Sequence, residues 1–417
     1  MRKFKYALSA LLLMFGASLA SCAPTHTTQV APQADTTKYS QGLQYEYVGD
    51  GYKLVGMGTC TDSEVIIPKA YKNLSVVAVA DNAFEGVLNL TKVVLPEGVT
   101  TIGEKAFYQC YDLEVVEMGY GVVRVGESAF EACPNLEKVT FSGSIQRISE
   151  RAFFGCEKLS AIVLPGSLQT IGKDAFFGCT NVKNLTLPFV GSSVREDAAY
   201  KHVGYLFGAE TPKSNKDVVP ATLERVTITG NTSIGDDAFL NCSNITVVMM
   251  TGLVKSIGDR AFYGCSGIKM FNLSSVVENI GDSAFEGCSE LPAIKLPTTI
   301  KTFGDNVFTN SPKNQPKTIN NGLYYGDKLV LIQEYSNEET YVLDSSVKVI
   351  KHGAFMDSYR LKTVFYKGNQ QAFEAIDVEA GANQYFTKAT VYFFSAQKPE
   401  VKGNFWHYDA QGNPVAW

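Results

Sequence analysis

Apolar positions in this chain recur at two spacings that alternate in quick succession. Ile102, Ala106, Phe107, Cys110 and Leu113 follow one another at intervals of 4, 1, 3 and 3, which predicts one face of a short helical or 3-10 segment. The interval then drops to two at Val116 and Met118, which predicts a short strand with one face buried. In several other units the strand ends in Leu-Pro, as at Leu95-Pro96, Leu164-Pro165, Leu187-Pro188 and Leu296-Pro297. Proline has no N–H to donate and closes the strand. A glycine after isoleucine is then expected to turn the chain back toward the helical segment.

This pattern repeats. Ala-Phe begins at residues 83, 106, 129, 152 and 175, and again at 238, 261 and 284, with a step of 23 residues inside each group. Val307-Phe308 continues the step, and Ala354-Phe355 lies two steps further on with one extra residue. A fixed period of this length predicts a solenoid, in which each unit buries its apolar face against its neighbours. Leu43 to Gly56 alternates around Gly49-Asp50-Gly51 and predicts a hairpin; Asn320 to Ile332 predicts a second, inserted where a repeat is missing. The long gap after Ala175 holds Tyr205 to Gly208 as a degraded Ala-Phe unit, an ordinary strand near Arg225, and a polar stretch, Glu210 to Asp217, expected to protrude as a loop. The expected organisation is a first rung with its cap over 42–80, repeats over 81–188, an irregular repeat over 189–222, repeats over 223–318, a hairpin insertion with the last repeats over 319–366, and a terminal cap over 367–417.

Seven cysteines, from Cys110 to Cys288, sit four residues after the alanine of their unit. Equivalent positions on stacked strands lie about 4.8 Å apart. A disulfide wants Cβ atoms near ~3.8 Å, and zinc wants four ligands converging on a tetrahedron. A straight row suits neither. A nucleophile needs a positioned base, and His26, His202, His352 and His407 are all out of register with the cysteines. The reading that fits is a small buried side chain with a weak S–H donor. Cys60 precedes its strand much as Cys156 does and is expected in the same role.

The consensus Cys-x-x-Leu-x-x-Val-x-Leu-Pro-x-x-Val-x-x-Ile-Gly-x-x-Ala-Phe resembles the leucine-rich repeat. More narrowly, it is similar to the 23-residue class of BspA-like bacterial cell-surface proteins, over roughly residues 43–417. That resemblance implies an α/β repeat fold: a right-handed solenoid with short parallel strands on a concave face, short helical or 3-10 segments on a convex face, a β-hairpin at the N-terminal end and a cap at the C-terminal end. It implies that the cysteine slot, asparagine or cysteine in related repeats, helps satisfy backbone carbonyls. It also implies adhesion to host extracellular proteins and contacts between bacteria.

Composition adds a location. The chain has 417 residues and a net charge of -5, with no basic surplus to suggest nucleic acid. Arg2, Lys3 and Lys5 precede an apolar run, Ala7 to Ala20, that ends in Leu19-Ala20-Ser21-Cys22. This resembles a lipoprotein signal peptide over 1–21. The resemblance implies a lipidated Cys22 and attachment to the outer membrane, with residues 22–41 as a polar tether. The residues after Cys22, Ala-Pro-Thr-His-Thr-Thr, lack the acidic run that resembles a surface-export signal in some lipoproteins. A periplasm-facing or glycan-binding scaffold is therefore the alternative to a surface adhesin.

Strand positions facing away from the core are the expected binding surface. Those that carry candidate contacts are Lys92, Glu117, Lys138, Arg225, Met249, Met270, Asn272 and Lys295, with Val247, Met249 and Met270 forming an apolar cluster on adjacent rungs. Trp406 is expected to close the open end of the core, a sugar-stacking platform with Trp417 being the alternative. No phosphate loop, zinc-hydrolase motif or nucleophile elbow is present. The expectation is a binding protein for a host or bacterial protein or glycan, without catalysis, metal or cofactor.

Overall fold

The computed structural model describes residues 38–195, 199–230, 233–334, 336 and 338–417. The signal segment, Cys22, His26 and the tether up to residue 37 lie outside the described residues. Two ladders of parallel strands run through the fold. The first is built from strands of three or four residues: Glu64–Ile66, Lys92–Val94, Val115–Glu117 and Lys138–Thr140 in one sheet, then Ala161–Val163, Asn184–Leu187, Arg225–Ile228, Val247–Met250 and Met270–Asn272 in the next. The second is built from two-residue strands such as Thr101–Ile102, Arg124–Val125, Arg147–Ile148 and Thr170–Ile171. In both, equivalent residues of successive repeats are in register, Val93 opposite Val116 and Ile102 opposite Val125. Each rung alone has one apolar face; stacking buries it against the rungs above and below.

The Ala-Phe segment differs from the helix that its spacing predicts. Lys105 and Gln109 adopt left-handed backbone angles, φ 50° and 59°, and equivalent residues do the same along the chain. The chain therefore zigzags. Phe107 N–H donates to Ala129 O at 2.8 Å on the next rung, Phe130 to Ala152 at 2.8 Å and Phe262 to Ala284 at 2.8 Å, while Cys110 N–H closes a local turn onto Phe107 O at 3.3 Å. Bonding between rungs replaces the i to i−4 bonds of a helix, and the period of 3 to 4 arises from these overlapping turns. The phenylalanines stack face to face: Phe84 on Phe107 with centroids 4.9 Å apart, Phe107 on Phe130 at 5.0 Å, Phe130 on Phe153 at 5.1 Å, and Phe239, Phe262, Phe285 and Phe308 likewise further on. The glycine after isoleucine is fixed by contact between rungs. A Cβ on Gly126 would lie 2.5 Å from the carbonyl carbon of Gly103, and Gly126 has no positive φ.

Between Ala175 and Ala238 one rung is rebuilt. The 3-10 helix Val203–Phe207 takes the Ala-Phe place, so that Phe176 N–H donates to Leu206 O at 2.9 Å and Val203 N–H to Ala238 O at 2.9 Å. The polar stretch expected to protrude instead carries a 3-10 turn, Pro212–Ser214, and a helical turn, Asn215–Val218. Asn215 is fully buried. Its side-chain oxygen accepts from Gly204 N at 3.1 Å and lies 2.9 Å from His202 Nδ1, which pins the stretch to the rung.

The first ladder opens after Met270–Asn272. Residues at the start of each strand normally donate to the preceding rung, as Lys269 N–H does to Thr246 O at 2.8 Å. Pro292 occupies that place in the next rung and has no N–H. Ile294 N–H turns to Asn314 Oδ1 at 2.6 Å, and 293–295 carries no strand. The chain then forms an antiparallel meander, Lys317–Ile319, Gly322–Tyr325 and Val330–Glu334, before parallel stacking resumes with Val349–Ile350. A second apolar core begins here, around Tyr341, Phe355, Val364 and Tyr366. The first ladder restarts at Thr340–Leu343 and continues through Thr363–Tyr366, Thr390–Phe394 and Phe405–Tyr408, past the point where the sequence period is lost. Trp406 is fully buried, with Nε1 donating to Tyr366 O at 2.8 Å. Among the described residues no helix is long and apolar enough to cross a membrane.

Candidate binding face

The conspicuous cysteines are part of the core. Cys110 Sγ donates to Phe84 O at 3.0 Å, Cys133 to Phe107 at 3.1 Å, Cys156 to Phe130 at 3.2 Å, Cys265 to Phe239 at 3.0 Å and Cys288 to Phe262 at 3.1 Å. Each of these thiols thus satisfies a carbonyl of the preceding rung, whereas Cys242, which follows the rebuilt rung, reaches only Leu240 O of its own rung at 3.9 Å. Burial pushes the thiols of Cys110, Cys179, Cys242 and Cys288 up to about 12, far from the thiolate that reactivity needs. All eight described cysteines are free and buried. Cys60 repeats the local turn, its N–H bonding to Met57 O at 2.9 Å. Where the slot holds serine the bond persists: Ser311 Oγ donates to Phe285 O at 2.7 Å.

The variable letters lie on the outward side of the first ladder. Lys92 and Glu117 form an ion pair at 2.8 Å on adjacent rungs, which holds Lys92 protonated above its ordinary range. Lys138 is exposed one rung on, in the column of Lys92. In the second sheet Arg225, Val247 and Met270 share one column, and Thr227, Met249 and Asn272 the other. Val247, Met249 and Met270 lie on adjacent rungs, Val247 and Met249 half-buried and Met270 55% exposed. The Arg225 guanidinium lies 3.9 Å from Met249 Sδ. Asn272 donates to Met250 O at 3.4 Å. The candidates make a long face rather than a point: at about 4.8 Å per rung, Lys92 and Met270 are roughly 34 Å apart.

Lys295 belongs elsewhere, in the rung that Pro292 detaches. It lines a cavity of about 330 Å³ between that rung and the meander. Lys313 and Lys317 share the lining, with Asp327 opposing them and Ile294, Leu296 and Phe308 supplying apolar wall. Sequence reading missed this cavity. Its one signal was Pro292, a proline ahead of the strand where the other units carry a residue with an N–H. A polar cluster without a sequence signal is His202 with Asn215. Trp406, being buried, offers no sugar platform; Trp417 is exposed, with its ring stacked on His407 at 3.6 Å.

Parallel in-register strands, buried repeat positions and a face of variable letters define a leucine-rich-repeat solenoid, a class that typically binds macromolecules and is typically non-enzymatic. The model of the BspA type leucine rich repeat region matches in six copies over residues 77–203 and 221–329, more than half of the chain, and the protein belongs to that family. Among curated proteins none matches. Similar solved structures include a T. pallidum leucine rich repeat protein (24% identity, 61% of this chain and 91% of that one, TM-score 0.31). A leucine-rich repeat protein from Bacteroides ovatus (18%, 86% and 99%, TM-score 0.33) and a leucine rich cell surface protein from Faecalibacterium prausnitzii (22%, 84% and 99%, TM-score 0.27) are also similar. The family assignment rests on the repeat and not on these superpositions.

Proposed function

We propose that the protein is a lipid-anchored binding protein of the bacterial cell envelope, attached through Cys22 to the outer membrane and displayed as an adhesin for host or bacterial proteins. It catalyses nothing. The observation that supports this is the division of labour within each rung. The repeated letters, Ala, Phe and Cys among them, are consumed by stacking and by carbonyl bonding, while the outward strand positions vary and include the exposed Met270 beside the half-buried Val247 and Met249. Methionine suits an adaptable contact surface. Capture of host-surface and bacterial-envelope proteins on the full chain, with and without Met249→Glu and Met270→Glu, tests the binding reading; partners held equally by both would count against it. Protease treatment of intact cells tests display: loss of the protein supports it, and full protection favours the periplasm-facing scaffold. That second reading is supported by Ala-Pro-Thr-His-Thr-Thr after Cys22, which lacks an acidic run.

A further inference from the structure

The cavity behind Lys295 exists because the first ladder is interrupted. Pro292 gives no N–H to the preceding rung, Asn314 takes the Ile294 N–H, and the meander starting at Lys317 meets the detached rung at Gly326 and Leu296 but leaves a cavity beside that contact. Three lysines, Lys295, Lys313 and Lys317, line this one cavity. The side chains of Lys295 and Lys317 make no ion pair or hydrogen bond among the described residues, and that of Lys313 only reaches Glu290 O at 3.5 Å. This differs from much of the surface, where lysines find carboxylates: Lys92 with Glu117 at 2.8 Å, Lys301 with Glu278 at 2.6 Å, Lys362 with Glu339 at 2.8 Å. Asp327 leaves the lining with a surplus of positive charge.

We infer that this cavity binds an extended acidic segment of a partner protein, with an apolar side chain on the half-buried Ile294 and a neighbouring carboxylate on Lys295 and Lys317. The inference rests on the reading of the chain as a protein-binding repeat protein and adds the chemistry of the partner. Ammonium-to-carboxylate hydrogen bonds supply the attraction, and the apolar wall supplies burial. The lining favours a peptide over an acidic sugar because it offers no open ring face. Phe308 and Tyr324 are buried, and the ring of Tyr325 packs against Phe303 and Phe308.

The test is fluorescence polarisation of the full chain with the labelled peptide acetyl-Leu-Glu-Phe-Asp-Leu-amide. Its Gln and Asn counterpart, and an oligogalacturonate, serve as comparison probes. The expected result is saturable binding of the acidic peptide, weakened about tenfold or more in the neutral peptide and in the Lys295→Gln/Lys317→Gln variant. Lys402→Gln, exposed near the C-terminal end, should leave binding unchanged, and added salt should weaken it. Equal affinity for acidic and neutral peptides, no peptide binding, or binding of the oligogalacturonate alone would overturn the inference. Both lysines are exposed and unpaired, and a circular dichroism spectrum matching the parent's confirms that the variant folds. If captured partners remain bound to the lysine variant, only this inference fails; if nothing is captured by the parent chain, the binding reading itself fails.

Discussion

The ammonium of Lys351 lies 2.7 Å from the carbonyl oxygen of Phe303 and 2.8 Å from Asp305 Oδ1. Elsewhere those two acceptors are served by the backbone of the next rung. Gly304 N–H bonds to Ile280 O at 2.7 Å, and Asp305 N–H to Asp282 Oδ1 at 2.8 Å. The rung that would follow Phe303 is missing, and one side chain supplies both donors. Glu379 pairs with the same ammonium and ties it to the second core.

Lys351→Met should therefore uncouple the two cores. The buried Phe303 carbonyl and the partly buried Glu379 carboxylate lose their donor, a cost of about 2–3 kcal/mol; Asp305, being exposed, adds little. Denaturant unfolding followed through Trp406, which lies in the C-terminal segment, should show that segment melting earlier than in the parent chain. An unchanged midpoint would mean that Lys351 is dispensable.

The thiol-to-carbonyl bonds make a graded prediction. Cys156→Ala leaves Phe130 O without its donor and opens a small void, which should cost about 1–3 kcal/mol. Cys156→Ser should cost less, because Ser311 already serves Phe285 O in the same slot. A thiol reagent at mildly alkaline pH should leave the buried cysteines unlabelled until the chain is unfolded. Equal losses for alanine and serine would show that volume, not the bond, decides.

The phenylalanine stack carries stability in its interior. Phe130 touches rings on both sides, at 5.0 and 5.1 Å. Phe130→Ala should cost about 3–5 kcal/mol. Phe130→Leu, which keeps most of the volume, should cost markedly less. Calorimetry or chemical denaturation measures both.

His202 gives the irregular rung a pH dependence. Burial lowers its proton affinity below the ordinary histidine value, against the opposing effects of Asn215 and Asp237, and Nε2 is buried without a hydrogen-bond partner among the described residues. The native state keeps the ring neutral, while the unfolded chain takes up a proton below about 6.5. The unfolded state then binds more protons, so stability falls as the pH drops through and below that value. His202→Gln should flatten this slope in unfolding measurements between neutral and mildly acidic pH; an unaltered slope would place the dependence elsewhere.

Much of the fold was legible because the repeat states it many times. The strands, the stacking and the buried cysteines follow from a 23-residue period in which the same letters return. The helix expected around Ala106 was not, since spacing alone cannot separate a helix from overlapping turns whose other bonds run to a neighbouring rung. Features that occur once were silent. Lys351, Asn215 and the cavity at Lys295 each arise where a repeat is absent or altered, and each depends on residues brought together from distant parts of the chain. Pro292 was visible, but its consequence appears only when the ladder it interrupts is in view.

The central claim is that the repeated letters build the scaffold and the variable strand letters bind. One comparison tests it: quantitative capture of partner proteins by the parent chain, by Cys156→Ser, and by Met249→Glu/Met270→Glu, each checked for folding. The account predicts that the cysteine variant keeps the captured partners and the methionine variant loses them. Loss with the cysteine variant and retention with the methionine variant would contradict it.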